Sequence, residues 1–153
     1  MSFHRSLKPG GWVELQELCA EVLCNDGTIP DNDPVKVIYE LIQSAFEKFG
    51  MNVTVVKDLE RLLRDAGFEN IQCVMKPVPI GPWVRDPTLR LVGMYQKMAV
   101  QDFMPVLPII PFTALGMSQT QSKEAVDNAM QALRDTGVHR FFQYFFWFAQ
   151  KPE

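Results

Sequence analysis

The sequence predicts an α/β fold with about three strands and with helices that cover the sheet. Three observations support this prediction. Strand and helix patterns alternate in the order strand, helix, helix, strand, helices, strand. A helical stripe, the turn 66–68 (AGF) and a strand pattern form a tight αβ unit. The last run, 139–149 (HRFFQYFFWFA), is aromatic on both faces, which is typical of a strand buried on both sides.

Each element has a local signal in the sequence. The first strand, 12–18, follows the turn 9–11 (PGG), and Asp33 caps a helix that has Pro34 at its first position and ends before Gly50. The later predictions are a helix over 55–66, a strand over 68–77, an irregular proline-rich segment over 77–87, a helix over 88–103, a loop or broken helix over 104–112, and a helix that starts with a capping box at Ser118 and Gln121 and ends near Gly137.

Length and composition predict one globular domain over 1–153, since 47% of the 153 residues are hydrophobic and 22% are charged. The net charge of −3 gives no basic footprint for nucleic acid. No run approaches the roughly 20 apolar residues of a membrane span, and no secretory signal is expected. The three cysteines form no CxxC pair, which predicts reduced thiols in the cytoplasm. His4 and His139 are the two histidines, and no metal-ligand cluster is predicted.

Several segments, in this order, carry a resemblance to a known family. They are 7–17 (LKPGGWVELQE), 62–72 (LLRDAGFENIQ), 79–93 (PIGPWVRDPTLRLVG), 116–118 (GMS), His139, and 151–152 (KP). The sequence resembles the C-terminal half of class I S-adenosylmethionine-dependent methyltransferases of the fungal secondary-metabolism type. The resemblance covers nearly the whole chain. It implies a truncated Rossmann-like methyltransferase sheet with covering and lid helices.

The family's cofactor site does not carry over to this sequence. In the family, the other half of the domain holds the glycine-rich turn and the acidic residue that binds the ribose. No G-x-G motif occurs here, and Gly10-Gly11 precedes a strand instead of joining a strand to a helix N-terminus. We therefore expect no S-adenosylmethionine site in this chain.

Two origins for such a chain are open, a fragment or a natural short protein that kept the substrate half, and we favour the second. A sheet cut through its middle exposes an edge strand and aggregates. The resemblance implies that strand 12–18 is such an edge. Pairing with a second copy would cover it, so we predict a homodimer through strand 12–18.

Four residues are candidate catalytic groups. His139 is the best candidate acid or base, because the ordinary pKa of histidine lies near neutrality. Glu14 is the second, because an inward carboxylate on a strand is costly unless it is paired or functional. Tyr95 and Asp102, on the lid-like helix, are polar groups that can contact a substrate oxygen. The structural alternatives are a hydrogen-bonded histidine, a solvated edge-strand carboxylate and an ordinary amphipathic helix.

Five residues are candidate substrate contacts. They are Trp83 and Arg85 in the proline-rich loop, Met98 and Phe103 on the lid-like helix, and Arg140 beside His139. Trp83 is either the wall of an apolar pocket or a packing anchor. Arg140 either orients an oxyanion of the substrate or is a surface charge.

Three functions are consistent with this sequence. The first is a cofactor-independent enzyme of natural-product biosynthesis that cyclises, isomerises or rearranges an apolar small molecule, mainly by orienting it. The second is a remnant or subunit of a small-molecule methyltransferase that needs a partner for the cofactor half. The third is a binding module without chemistry.

Overall fold

The computed structural model describes residues 6–106 and 109–153. Within these ranges the chain forms three strands, β1 (Trp12–Leu23), β2 (Glu69–Pro79) and β3 (Phe141–Gln150). The α-helices are α1 (Pro34–Lys48), α2 (Leu59–Asp65), α3 (Pro87–Phe103), α4 (Ile109–Ala114) and α5 (Gln119–Ala132), and a 3-10 turn (Val55–Asp58) precedes α2. The predicted α/β fold with three strands is confirmed.

The sheet has the order β1-β3-β2. The main-chain N–H of Gly10 bonds to Lys151 O at 3.0 Å, so the start of β1 lies beside the end of β3. The N–H of Ile80 bonds to Arg140 O at 2.8 Å, so the end of β2 lies beside the start of β3. The central strand β3 therefore runs antiparallel to both neighbours. β1 lies at an edge of this sheet, as the sequence predicts.

Both edge strands extend beyond the sequence prediction, and α5 ends at Ala132, before the predicted end near Gly137. β1 extends five residues beyond Leu18, to Leu23. β2 extends through Pro77 to Pro79, although the segment from Pro77 was predicted to be irregular. The order β1-β3-β2 makes β2 the other edge, and an edge strand tolerates proline because one row of its N–H groups has no neighbour.

The chain divides into two compact units. Among the described residues, unit 1 comprises 6–19, 54–76 and 143–153, and unit 2 comprises 20–53, 77–106 and 109–142. The single domain over 1–153 stays a prediction.

Unit 1 is built around a hydrophobic cluster of buried side chains. Its members are Cys19, Val56, Leu59, Leu63, Phe68, Trp147 and Ala149. The turn 66–68 returns the chain from α2 to β2, and Gly67 adopts the left-handed φ of 84° that ends the helix there. The amphipathic stripe predicted over 55–66 therefore faces this cluster, although its first turn is a 3-10 helix.

Unit 2 packs α1 against α5 and α4. The buried side chains of α1 are Val35, Ile38, Tyr39, Ile42 and Ala45. Tyr39 meets Phe142 of β3 edge to face, with ring centroids 5.0 Å apart. The stretch 104–112, predicted as a loop or broken helix, includes the start of α4, and 107–108 lie outside the described residues.

Two helices of unit 2 begin with side-chain caps that the sequence predicts. The Asp33 carboxylate accepts the Lys36 N–H at 3.0 Å, at the start of α1. The Ser118 hydroxyl accepts the Gln121 N–H, while the Gln121 side chain accepts the Ser118 N–H, at the start of α5. Both boundaries are thus fixed by local chemistry.

Within the described part of the chain, no helix is both long enough and apolar enough to cross a bilayer.

Candidate functional site

The histidine at the start of β3 pairs with an aspartate of the loop after β1. His139 Nδ1 lies 2.5 Å from Asp26 Oδ2, and each side chain keeps part of its surface exposed. A carboxylate only accepts, so the hydrogen bond places the ring proton on Nδ1. In the neutral ring, Nε2 then carries a lone pair that can accept a proton.

Asp26 is held in place by its own loop. Its Oδ1 accepts from the Thr28 hydroxyl at 2.8 Å, the Thr28 N–H at 3.2 Å and the Cys24 thiol at 3.1 Å. The Thr28 hydroxyl in turn accepts the His139 N–H at 2.9 Å. The hydrogen bond from His139, followed by those from Cys24 and Thr28, holds the pKa of the Asp26 carboxyl well below its usual range. Asp26 is therefore a stable anion beside the imidazole.

The indole ring of Trp83 stacks on a face of the His139 imidazole ring. The indole and imidazole centroids are 4.6 Å apart, with 19° between the ring planes. The indole N–H donates to Arg140 O at 3.0 Å, so the ring is fixed at its polar end as well. Asp26 and Trp83 together determine the position of the His139 ring.

Arg140 is a buried residue and not a surface charge. Its Nε donates to both carboxylate oxygens of Asp33, at 3.0 and 3.1 Å, and its Nη2 also bonds to Asp33 Oδ2. Its Nη1 donates to Ala132 O at 3.2 Å, at the end of α5. The surface-charge alternative for Arg140 is therefore wrong. The guanidinium is bound by Asp33 and buried with it. The predicted contact between Arg140 and a substrate would compete with this ion pair.

A cavity of about 210 Å³ lies beside the His139–Asp26 pair, within unit 2. It is lined by Asn25, Asp26, Pro77, Pro79, Trp83, Val84, Leu89, His139 and Phe141. Most of these side chains are apolar, and the pair with Asn25 supplies the polar groups. Such a site, apolar with a few convergent polar groups, is the usual form of a small-molecule site. Trp83 lines this cavity and also packs against His139, while its contact with a substrate stays a prediction.

The other predicted residues do not line this cavity. Tyr95, Met98 and Phe103 on α3 are exposed by 64%, 54% and 52%, and Asp102 and Arg85 are also exposed. The lid helix contributes Leu89 to the cavity instead. The helix turns the face that carries Tyr95, Met98 and Phe103 outward, and their contact with a substrate stays a prediction.

Glu14 belongs to unit 1 and is exposed. Its carboxylate accepts from the Gln16 amide at 2.8 Å. The expectation of a costly inward carboxylate does not hold for Glu14, because β1 is an edge strand. Glu14 instead matches the structural alternative given by the sequence, a solvated carboxylate on an edge strand.

That this chain carries no S-adenosylmethionine site of its own stays a prediction. The two strand-to-helix connections in unit 2 end in aspartate caps, Asp33 before α1 and Asp86 before α3. Each capping carboxylate accepts one main-chain N–H in the first turn of its helix, that of Lys36 in α1 and that of Leu89 in α3. Among the described residues, no group of His, Cys, Asp and Glu side chains is arranged to hold a metal ion.

The sequence did not predict Asp26 as a site residue, and it predicted only one of the two roles of Asp33. Asp26 lies in an Asp-Gly-Thr sequence that predicts a turn, and no local spacing connects it with a histidine 113 residues further on. Asp33 was predicted as a helix cap, which is confirmed, but its ion pair with Arg140 was not. His4, the other histidine, lies outside the described residues.

Comparison with known proteins supports the resemblance that the sequence predicts. No protein-family model matches the chain. The chain is 31% identical over 148 residues to the probable methyltransferase tdiE of Emericella nidulans, covering 96% of this chain and 47% of that protein. It is 31% identical over 150 residues to the methyltransferase pytC of Aspergillus terreus, covering 95% and 45%. A secondary metabolism regulator of Cochliobolus heterostrophus is 25% identical, covering 96% and 49%.

The homologues of this chain are thus fungal methyltransferases and regulators of secondary metabolism, and the predicted resemblance is confirmed. The protein is methyltransferase-like in sequence and fold. The chain spans about half the length of the curated relatives that it matches.

Proposed function

We propose that this chain forms an acid–base site for a small, largely apolar substrate of fungal secondary metabolism. The observation that carries the proposal is the His139–Asp26 pair at the wall of an apolar cavity. Asp26 fixes the tautomer of the ring, so Nε2 is the nitrogen that would take a proton from the substrate. A positioned histidine base contributes about 10²–10⁴-fold to a rate.

The cavity restricts the substrate. Its volume of about 210 Å³ is below the range of roughly 300–1,000 Å³ for drug-sized ligands, so it fits a small molecule or one ring of a larger one. Val84, Leu89 and Phe141 offer apolar contacts, and the Asn25 amide offers a hydrogen bond to one oxygen. A compact body with one acidic O–H or C–H group meets these conditions.

In the first form of the proposal the chain acts without a cofactor, as a cyclase, isomerase or pericyclase. His139 moves a proton at the substrate, while the walls hold one conformer. Orientation of this kind contributes up to about 7–11 kcal/mol in favourable cases. The absence of a G-x-G motif from the sequence supports this form.

In the second form the chain is the substrate side of a small-molecule methyltransferase. The observation that favours it is the kinship with methyltransferases about twice as long. A partner polypeptide would then supply the cofactor site, and His139 would take the proton from the substrate hydroxyl. In either form we place the protein in the cytoplasm, since Cys19, Cys24 and Cys73 are free thiols, as expected in a reducing compartment.

The base can be tested without knowing the natural substrate. A nitrobenzisoxazole is small, planar and mostly apolar. Removal of its ring C–H proton breaks the N–O bond, and the electron pairs end as a nitrile and a coloured phenolate. We expect the protein to open this ring, His139→Gln to abolish the reaction, and Asp26→Asn to slow it by at least tenfold.

Two controls make the assay specific. Val84→Trp fills the cavity and leaves the pair intact, so it should also stop the reaction, whereas Asp31→Asn in the same loop should not change it. Equal rates for the unaltered protein and the folded His139→Gln variant would refute the acid–base proposal. Calorimetric titration with S-adenosylmethionine tests a premise that both forms share, because binding by this chain alone would contradict the expectation that it carries no cofactor site of its own.

A further inference from the structure

We propose that the bond between Asp26 and Gly27 is a site of spontaneous aspartate isomerisation, and that the hydrogen bond between His139 and Asp26 suppresses this reaction in the folded protein. The product is a covalently altered main chain in the loop after β1. The proposal does not rest on the proposed function, because the hydrogen bond is present whether or not the pair acts on a substrate.

The reaction joins the Asp26 side chain to the main chain that follows it. The Gly27 nitrogen attacks Cγ of Asp26 and gives up its proton, a C–N bond forms, one C–O bond of the carboxyl group breaks, and a water molecule leaves. Water then opens the five-membered imide at either carbonyl. One opening restores aspartate, and the other leads the main chain through Cβ and Cγ as isoaspartate. Water is lost and regained, so the reaction needs no oxidant, reductant or other reactant.

The dipeptide at 26–27 is the one in this chain best suited to such an attack. Glycine has no side chain to shield its nitrogen, so an aspartate followed by glycine forms the imide most readily. No other Asp-Gly pair and no Asn-Gly pair occurs in the 153 residues. Asp26 and Gly27 are both exposed, and a Cβ built on Gly27 has no described atom within 4 Å beyond its chain neighbours.

The Asp26 carboxyl group is held in the form that resists attack. The imide forms from the protonated carboxyl group, because a carboxylate is a poor electrophile and has no water to release. His139 Nδ1 lies 2.5 Å from Oδ2, and the Thr28 hydroxyl donates to Oδ1 at 2.8 Å. These bonds favour the charged form and lower the pKa of Asp26, with His139 as the largest cause. The reactive form is therefore scarce in the folded protein.

Rigidity of the loop is the competing explanation for a slow reaction. The Cys24 thiol donates to Asp26 Oδ1 at 3.1 Å, and the Thr28 hydroxyl accepts the His139 N–H at 2.9 Å, so several bonds hold the loop. A rigid loop slows attack by the Gly27 nitrogen on any side chain at position 26. Ionisation protects only a carboxyl group, since an amide in the same place has no charged form. The two explanations therefore differ in their prediction for Asp26→Asn.

Isomerisation would remove Asp26 from the candidate site. Isoaspartate adds one atom to the main chain, and its free carboxyl group is attached directly to Cα. Such a group cannot keep the bond to His139 Nδ1 while Thr28 and Cys24 hold their places. The reaction would thus cost the histidine the partner that fixes its tautomer.

Ageing of the 153-residue chain at about pH 5 tests the proposal, because an ordinary aspartate is still protonated there in roughly a tenth of the molecules. Peptide mass spectrometry detects the imide by its loss of water and isoaspartate by its fragment ions. The reference is the same chain unfolded in guanidinium chloride. We expect isomerisation at position 26 to be at least about tenfold slower in the folded protein, because each unit of lowered pKa removes about nine-tenths of the protonated form.

Two variants assign the protection to the hydrogen bond. His139→Phe keeps a ring beside Trp83 but has no N–H for Asp26, so its rate in the folded state should approach that of the unfolded chain. Ser118→Ala is the matched control, because it removes a helix cap and leaves the loop untouched. That variant should age as slowly as the unaltered protein. Circular dichroism confirms that each variant is folded.

Asp26→Asn separates ionisation from rigidity. The same attack then expels ammonia, and the change in mass after the imide opens reports it. We expect the folded amide variant to react readily even at neutral pH. Three results would overturn the proposal: equal rates for the folded and unfolded chains, no acceleration in folded His139→Phe, or an amide at position 26 that persists in the folded protein.

Discussion

Arg140 and Asp33 form a buried ion pair in which Nε lies 3.0 and 3.1 Å from the two carboxylate oxygens. Asp33 also caps α1, and Arg140 also binds the last turn of α5 through Ala132 O. One pair of side chains thus connects the start of one helix, the end of another and the start of β3. Because His139 is the neighbour of Arg140 in the chain, the same pair fixes the backbone that carries the candidate base.

Loss of this pair should be costly. Asp33→Ala removes the cap and leaves the Arg140 charge buried without a partner, so we expect a loss of about 3–5 kcal/mol in the free energy of unfolding. Asp86→Ala is the matched control, because Asp86 caps α3 but is exposed and makes no ion pair with a described residue. That variant should lose only about 1 kcal/mol. Urea unfolding of both variants measures the difference, and equal losses would contradict the role assigned to the ion pair.

The stability of the protein should depend on Asp26 in a defined pH range. The pKa of this carboxyl is lower in the folded protein than in the unfolded chain, chiefly through His139. Its contribution is therefore fully present above the unfolded pKa of about 4 and is lost as the pH falls through the folded pKa. The stability difference between the unaltered protein and Asp26→Asn should be largest at neutral pH and should shrink below about pH 4.

Urea unfolding at a series of pH values checks this expectation. Asp31→Asn, an exposed change in the same loop, serves as the control and should show no such trend. A difference that stays constant or grows toward acid pH would show that the Asp26–His139 bond does not stabilise the folded state.

Gly93→Ala should destabilise the protein although it lies inside a helix. An added Cβ would lie 2.2 Å from the Gly81 carbonyl oxygen. This oxygen belongs to the main chain, so it cannot move aside as the end of a flexible side chain can. Glycine to alanine in an exposed helix interior normally stabilises by about 1 kcal/mol. Here we expect the opposite sign, with a loss of about 1–3 kcal/mol from overpacking. Thermal or urea unfolding decides the sign, and a stabilised variant would refute the close approach.

The capping box of α5 should contribute more to the free energy of unfolding than a hydroxyl within the helix does. Ser118→Ala removes the acceptor of the Gln121 N–H, and we expect a loss of about 1 kcal/mol. Ser122→Ala is the matched control, since its hydroxyl only bonds back to Ser118 O. That variant should be neutral within about 0.5 kcal/mol. Equal effects would mean that the box adds nothing to the stability of the fold.

The sequence predicts those features that local chemistry determines. The Asp33 and Ser118 caps were predicted from neighbouring residues, and both are present. The central aromatic strand was predicted from its pattern, because a strand covered on both faces has no polar side. Pro77 and Pro79 misled the prediction, since their tolerance depends on β2 being an edge, which is a property of the whole sheet.

The candidate site was predicted only in part. His139 and Trp83 stood out by residue type and by the resemblance. Their partner Asp26 did not, because the contact closes a loop of more than a hundred residues and has no signature in the local sequence. The orientation of Tyr95 and Met98 on α3 was also beyond reach, because the apolar pattern of a helix does not reveal which of its faces is covered.

The contact between Trp83 and His139 also gives the molecule an internal optical reporter. Emission from an indole changes when the ring stacked on it gains a positive charge. Light from Trp83 therefore follows the proton on His139 without any label, above a background from Trp12 and Trp147. A molecule that enters the neighbouring cavity and takes or gives that proton would change the wavelength and intensity of the fluorescence, even when its reaction product is unknown.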